Sequence, residues 1–103
     1  MIIITTQCFF PKIGGIESLM TGMADAMSNK EEVVVLADGK KTTSDNNHKY
    51  KIVRFNAWKP VRRLQKAGYL KKLCEANTVK AIYADSWKSI ELLKNIKNKI
   101  FIL

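Results

Sequence analysis

Short apolar runs alternate with amphipathic segments along this chain, and that alternation limits the folds open to it. The runs are rich in β-branched and aliphatic residues, which is typical of strands buried on both faces of a parallel sheet. The third run alternates polar and apolar side chains and is expected nearer an edge of the sheet. The five predicted strands cover residues 1–6, 33–37, 51–55, 80–84 and 99–103.

Three helices are predicted between these strands. The first covers residues 16–27 and carries a stripe of methionine and aliphatic side chains. The second covers residues 58–76, and its apolar positions change sides at Gly68, so we expect a kink or break there. The third begins at Asp85 or Ser86, either of which can cap a helix, and runs to about residue 98.

The resulting order, β-α-β-β-α-β-α-β, predicts an α/β fold with a mostly parallel, five-stranded, Rossmann-like sheet flanked by helices. With 103 residues the chain suffices for one small domain. No apolar run approaches the ~20 residues of a membrane helix. Residues 1–4 are too short and lack the basic start of a signal peptide, so a cytoplasmic location is expected.

The net charge of +9 favours anionic partners such as nucleic acid, anionic lipid or phosphorylated small molecules. Cys8 and Cys74 form no metal-binding motif, so we expect reduced thiols, no metal and no resident cofactor. The single histidine, His48, lies in a polar loop and is expected to be solvated.

A glycine pair, Gly14 and Gly15, stands between the first strand and the first helix. Glycine lets the backbone approach a ligand closely, and the amides of a helix N-terminus can face an anion. This turn is therefore a candidate anion site, and Ile16 belongs to it as the first helical position.

The turn and its flanks resemble the N-terminus of family 4 glycosyltransferases, which carry a Pro-x-x-Gly-Gly-x-Glu motif between a short strand and a helix. Here Pro11, Gly14, Gly15 and Glu17 occupy the motif, and residues 32–37 match the following strand. Residues 81–89 resemble the fourth strand and the loop after it, and the order of elements matches over the whole chain.

The resemblance implies the acceptor-side, N-terminal domain of a retaining GT-B enzyme, of the kind used in polysaccharide biosynthesis. Such an enzyme transfers sugar from a nucleotide-sugar to a glycan or lipid-linked acceptor. The glycine turn of Gly14, Gly15 and Ile16 would contact the donor diphosphate or sugar. Asp85 lies at the strand tip that faces the cleft, so it is a candidate acceptor contact, with a helix cap as the alternative.

Two departures from the family bear on activity. The C-terminal donor domain is absent, and the chain stops before the usual active-site histidine, whose position His48 does not match. We therefore expect a fragment, residues 1–103 being part of the N-terminal domain, that is not catalytic alone. Its uncovered sheet edge is expected to promote self-association.

Other classes of function remain open. Residues 58–66 mix cationic and apolar side chains, as interfacial helices do, which makes docking on an anionic membrane or contact with an anionic acceptor an alternative. A small nucleotide-binding domain is the other alternative, supported only by Asp38 at the end of the second strand. Nucleic acid is disfavoured because no recognised motif is present. The residues of the membrane alternative are Trp58, Lys59, Arg62, Arg63 and Lys66.

Overall fold

The sheet of this protein is parallel throughout, and its central strand is the first one in the chain. The computed structural model describes residues 1–7, 15–40, 49–85 and 99–102. Its strands are β1 (Ile2–Thr6), β2 (Val33–Asp38), β3 (Lys51–Phe55), β4 (Ala81–Ala84) and β5 (Lys99–Ile102). They lie in the order β3-β2-β1-β4-β5, and every neighbouring pair is parallel.

Two helices flank the sheet within the described ranges, α1 (Gly15–Ser28) and α2 (Lys59–Ala76). The predicted α/β, Rossmann-like fold is confirmed, and β3 is an edge strand as expected. The predicted third helix, residues 86–98, lies outside the described residues.

The order of the strands creates a switch point beside β1. The chain moves outward from β1 to β2 and β3, and α2 then returns it to β4 on the other side of β1. Ligands of open α/β sheets bind at the carboxyl ends of the strands where the order reverses in this way. The carboxyl ends of β1 and β4 are therefore the first place to look for a site.

Side chains alternate between the two faces of the sheet, and each face has its own helix. Ile2 and Ile4 pack with Met20 of α1, and Ile3 packs with Leu70 of α2. The predicted methionine stripe of α1 is largely confirmed, with Met20 buried and Met23 and Met27 packed against the core. Leu19 departs from the stripe, because its side chain is exposed.

The second helix is not broken at Gly68, because α2 runs continuously from Lys59 to Ala76. The other form of the prediction, a kink, stays a prediction. The basic side of its first half faces the sheet, where Lys66 is buried. Val61 and Leu64 lie on the other side and are exposed. The apolar stripe of the second half therefore continues the basic stripe, and the helix needs no break to bury both.

Strand β5 forms the other edge of the sheet. Phe101 stacks on Tyr83 of β4 with ring centroids 5.1 Å apart, yet Phe101 and Ile102 remain exposed. Self-association through this edge stays a prediction.

Gly68→Ala should stabilise the protein by about 0.5–1 kcal/mol, because glycine weakens a helix interior. Apart from the backbone of its own helix and its chain neighbours, a Cβ at this position would meet no atom within 4 Å. Urea unfolding of both proteins measures the difference.

The matched control is Gly39→Ala, in the turn after β2. Gly39 has a φ of +110°, a conformation that alanine adopts only with strain, so this variant should be less stable than the parent. A loss of stability in Gly68→Ala would contradict an unbroken α2.

Candidate functional site

Polar side chains meet at the carboxyl edge of the three central strands. β1 ends at Thr6, β2 ends at Asp38, and Asp85 directly follows β4. Since neighbouring parallel strands end at the same edge, these residues lie side by side. Hydrogen bonds join them directly and through α2.

Asp85 bridges the switch point between β4 and β1. One oxygen, Oδ2, accepts a hydrogen bond from the Thr6 hydroxyl at 2.8 Å and another from the Gln7 amide at 2.9 Å. The backbone amide of Asp85 also donates to the Thr5 carbonyl at 3.4 Å. These bonds fix the carboxylate at the edge where the sequence predicts an acceptor contact. The helix that Asp85 would cap lies outside the described residues.

Lys66 enters the same edge from α2. Its Nζ donates to the Thr6 carbonyl at 2.9 Å and to Asp38 Oδ1 at 3.0 Å, and the residue is only 7% exposed. Arg62, one turn earlier, places its Nε 3.1 Å from Asp38 Oδ2. Each carboxylate oxygen of Asp38 thus faces its own cation.

Burial lowers the pKa of Lys66 from its ordinary value of 10.5, because water no longer solvates the charged amine. The negative charge and hydrogen bond of Asp38 oppose that shift, and Asp85 opposes it as well, whereas Arg62 adds to it. The net direction is downward. The hydrogen bond and negative charges around the amine therefore offset only part of the solvation that its charged form loses on burial.

The ion pairs bear on the nucleotide-binding alternative. In dinucleotide-binding domains an acidic residue near the end of β2 accepts hydrogen bonds from a ribose. Asp38 has that position, but Lys66 and Arg62 engage both of its oxygens. The arrangement therefore gives the ribose-binding role no support.

Helix α1 begins toward this same edge. Glu32, just beyond α1, accepts a hydrogen bond from the Ile2 amide, so α1 ends at the amino edge of the sheet. Its first residue, Gly15, must then lie toward the carboxyl edge, and it is exposed. Gly14 and the side chain of Ile16 lie outside the described part of the chain.

The remaining predicted site residues separate into two groups. Lys66 is buried and Arg62 and Arg63 are half-buried, whereas Trp58 and Lys59 are exposed at the start of α2. Trp58, directly before α2, is 79% exposed, Leu64 is 65% exposed, and Val61 between them is exposed as well; we call these three residues the exposed row. The structure therefore does not bring the five basic and aromatic residues into one contact surface.

Sequence reasoning missed the ion-paired cluster of Asp38, Arg62 and Lys66. Two signals were available: the spacing of Arg62 and Lys66, which puts them on one side of a helix, and the acid at a strand end. Neither signal says which side of α2 faces the sheet.

No cluster of three or more histidine, cysteine, aspartate or glutamate side chains suited to a metal ion occurs among the described residues. Over the same ranges, neither helix has the length and apolar character needed to cross a membrane.

Comparison of the sequence with protein-family models gave no match, and comparison with curated proteins gave none either.

Lys66→Met should remove a pH-dependent part of the stability. Because the pKa of Lys66 is lower in the folded protein, the unfolded chain holds more protons at this site as the pH approaches 10.5. The free energy of unfolding contributed by Lys66 therefore rises with pH in the alkaline range. Urea unfolding at a series of pH values should show that the free energy of unfolding of the parent rises with pH relative to that of the variant.

Lys71→Met, at an exposed position of the same helix, controls for the loss of one positive charge. If the free energy of unfolding of the parent, relative to that of Lys66→Met, stays constant or falls with rising pH, the result would contradict the burial of this amine.

Proposed function

We propose that this chain forms the acceptor-side wall of a retaining GT-B glycosyltransferase. In this proposal a separate donor domain holds most of the nucleotide-sugar, and the chain alone does not catalyse transfer. The observation that carries the proposal is the placement of Asp85 and the start of α1 at one edge of the sheet, beside its switch point.

The glycine turn has the role of receiving the donor phosphates. Gly15 begins a helix of 14 residues. The first-turn amides of an α-helix have no partner within the helix, and they favour an anion. No side chain at Gly14 or Gly15 keeps a ligand away from the backbone. The amides would stabilise the negative charge that develops on the nucleoside diphosphate as the sugar leaves.

Asp85 has the role of orienting an acceptor hydroxyl. Its carboxylate is held in place by Thr6 and Gln7, and an ionised carboxylate has capacity to accept further hydrogen bonds. Sugar hydroxyls are suitable donors. Thr6 is itself fixed through its carbonyl by Lys66, so α2 supports the orientation of Asp85 indirectly.

An amide NMR titration of the ¹⁵N-labelled chain with UDP-glucose and with GDP-mannose tests this proposal. We expect saturable shifts at Gln7, Gly15 and Asp85, with a dissociation constant on the order of millimolar because only one wall is present. Gly15→Val should remove these shifts, since its side chain would stand where the phosphates approach.

Asp25→Asn, on an exposed position of α1, is the control and should leave the titration unchanged. Shifts confined to the amino edge, around Glu32 and Lys80, or shifts that persist in Gly15→Val, would overturn the proposal.

The exposed row of Trp58, Val61 and Leu64 favours a second candidate function, peripheral docking on an anionic membrane from the cytoplasmic side. Apolar residues exposed beside Lys59 match the composition of interfacial helices. The net charge of +9 would add attraction to anionic lipids. Such docking would bring a lipid-linked acceptor to the cleft.

Sedimentation with vesicles that contain or lack phosphatidylserine tests the docking. The parent should bind only the anionic vesicles, and a Trp58→Ser, Leu64→Ser double variant should lose that binding. Phe101→Ser removes an exposed apolar residue at the β5 edge and should have no effect. Equal binding to both vesicle types, or no binding, would exclude this function.

A further inference from the structure

Two aromatic side chains lie in one row that crosses the sheet to its β5 edge. Ile4 of β1 is in register with Tyr83 of β4, and Tyr83 is in register with Phe101 of β5. Ile4 and Tyr83 pack in the core on the α1 side, and the Phe101 ring stacks on Tyr83, so the three side chains share one face. Ile4 is buried, Tyr83 is half-buried and Phe101 is 44% exposed. The row therefore ends in an accessible aromatic ring.

The stack leaves one face of the Phe101 ring directed outward. The planes of the two rings differ by only 18°, and their centroids are 5.1 Å apart. That separation is close to the spacing of neighbouring strands, so the rings stack along the direction that crosses the strands. Tyr83 covers one face of Phe101. The other face points away from the sheet, since β5 is the edge strand among those described.

The Phe101 ring lies beside the proposed acceptor contact. Asp85 is two residues after Tyr83, and it accepts a hydrogen bond from the Thr6 hydroxyl at 2.8 Å. Thr6 is two residues after Ile4, so its side chain lies on the same face of the sheet. From the rise and spacing of strands, the Cα atoms of Asp85 and Phe101 are about 8 Å apart. A carboxylate and an aromatic ring are thus neighbours on one face, at the carboxyl edge.

This combination suits a chain of sugars. The hydroxyls of a sugar donate hydrogen bonds to carboxylates, and the C–H bonds of its ring pack on the negative face of an aromatic ring. A second copy of the chain is the competing occupant of the exposed Phe101 face. Each copy carries a net charge of +9, so repulsion between copies opposes that contact, whereas a neutral glycan meets no such repulsion.

We propose that the acceptor is an oligosaccharide and that Phe101 binds its second sugar. The inference rests on the proposed function, in which one sugar presents a hydroxyl to Asp85. The next sugar along the acceptor stacks on the outward face of Phe101, and Tyr83 supports that ring from the other side. An acceptor with a single sugar would make only the contact at Asp85.

The test is an amide NMR titration of the ¹⁵N-labelled full chain with cellotriose and, separately, with glucose. Cellotriose is the probe because its equatorial hydroxyls leave C–H bonds on both faces of each ring. It should shift the amides of Tyr83, Phe101 and Ile102 in a saturable manner. Glucose should bind at least about tenfold more weakly, since one ring cannot make both contacts.

Phe101→Ser removes the ring and should weaken cellotriose binding by at least about tenfold, whereas Phe101→Tyr keeps an aromatic ring and should bind like the parent. Ile102→Ser is the matched control. Ile102 is likewise exposed on β5, but its side chain lies on the opposite face of the sheet, so this variant should also bind like the parent. The dispersion of the amide spectrum checks that each variant is folded.

The inference is overturned if cellotriose shifts no amide of β4 or β5, if Phe101→Ser binds cellotriose like the parent, or if Phe101→Tyr loses binding. It is also overturned if the Phe101 amide responds to protein concentration and not to cellotriose, which would assign the ring to a contact between copies.

UDP-glucose, titrated into the same sample, separates this inference from the proposed function. Phe101→Ser should leave the response of Gln7 and Gly15 to UDP-glucose unchanged, because those residues lie at the donor side of the site. Binding of UDP-glucose without binding of cellotriose would overturn this inference alone. Binding of cellotriose at Phe101 without binding of UDP-glucose would overturn the proposed glycosyl transfer and leave a glycan-binding site.

Discussion

A buried ammonium group connects helix α2 to the carboxyl edge of the sheet. Lys66 reaches from the helix to the Thr6 carbonyl of β1 and to Asp38 of β2. Removing such a charge from water is costly unless hydrogen bonds and an opposite charge replace the lost solvation. Asp38 and Thr6 supply those partners, and Arg62 forms an ion pair with the second carboxylate oxygen of Asp38. The geometry of this edge therefore depends on where α2 places one side chain.

The same interaction determines which side of α2 faces solvent. With Arg62 and Lys66 turned toward the strands, Val61 and Leu64 must face outward, although both are apolar. Along the second half of the helix the inward side is apolar, and Leu70 is buried in the core. One unbroken helix thus carries an ionic contact in its first half and an apolar contact in its second half, while Val61 and Leu64 of the first half are exposed.

Local patterns in the sequence predict most of the fold but not the cluster around Asp38. The runs 33–37 and 51–55 indicate strands because β-branched residues suit a pleated surface, and the edge position of β3 follows from its alternating pattern. The change of phase at Gly68 predicts a kink or break only if the charged side chains of the first half face water. That assumption fails where an acid on another strand pairs with them, and such a pairing depends on strand order. The glycine turn at residues 14–15 is a local signal of the same kind, and it predicts an anion site without indicating its ligand.

The proposed glycosyltransferase site uses the switch point of the sheet, where Asp85 accepts a hydrogen bond from Thr6 and the start of α1 approaches the same edge. This site depends on the packing of α2 against the sheet, since Lys66 donates a hydrogen bond to the Thr6 carbonyl.

A double-mutant cycle of Lys66→Met and Asp38→Asn, followed by urea unfolding, tests most directly whether this ion pair holds α2 against the sheet. Two side chains that share a partly buried, hydrogen-bonded ion pair should show a coupling free energy above about 1 kcal/mol. Each single variant removes one of the two partners of the remaining group, so the double variant should be more stable than the sum of the single effects predicts. Additive effects, with no coupling between the two positions, would contradict the account.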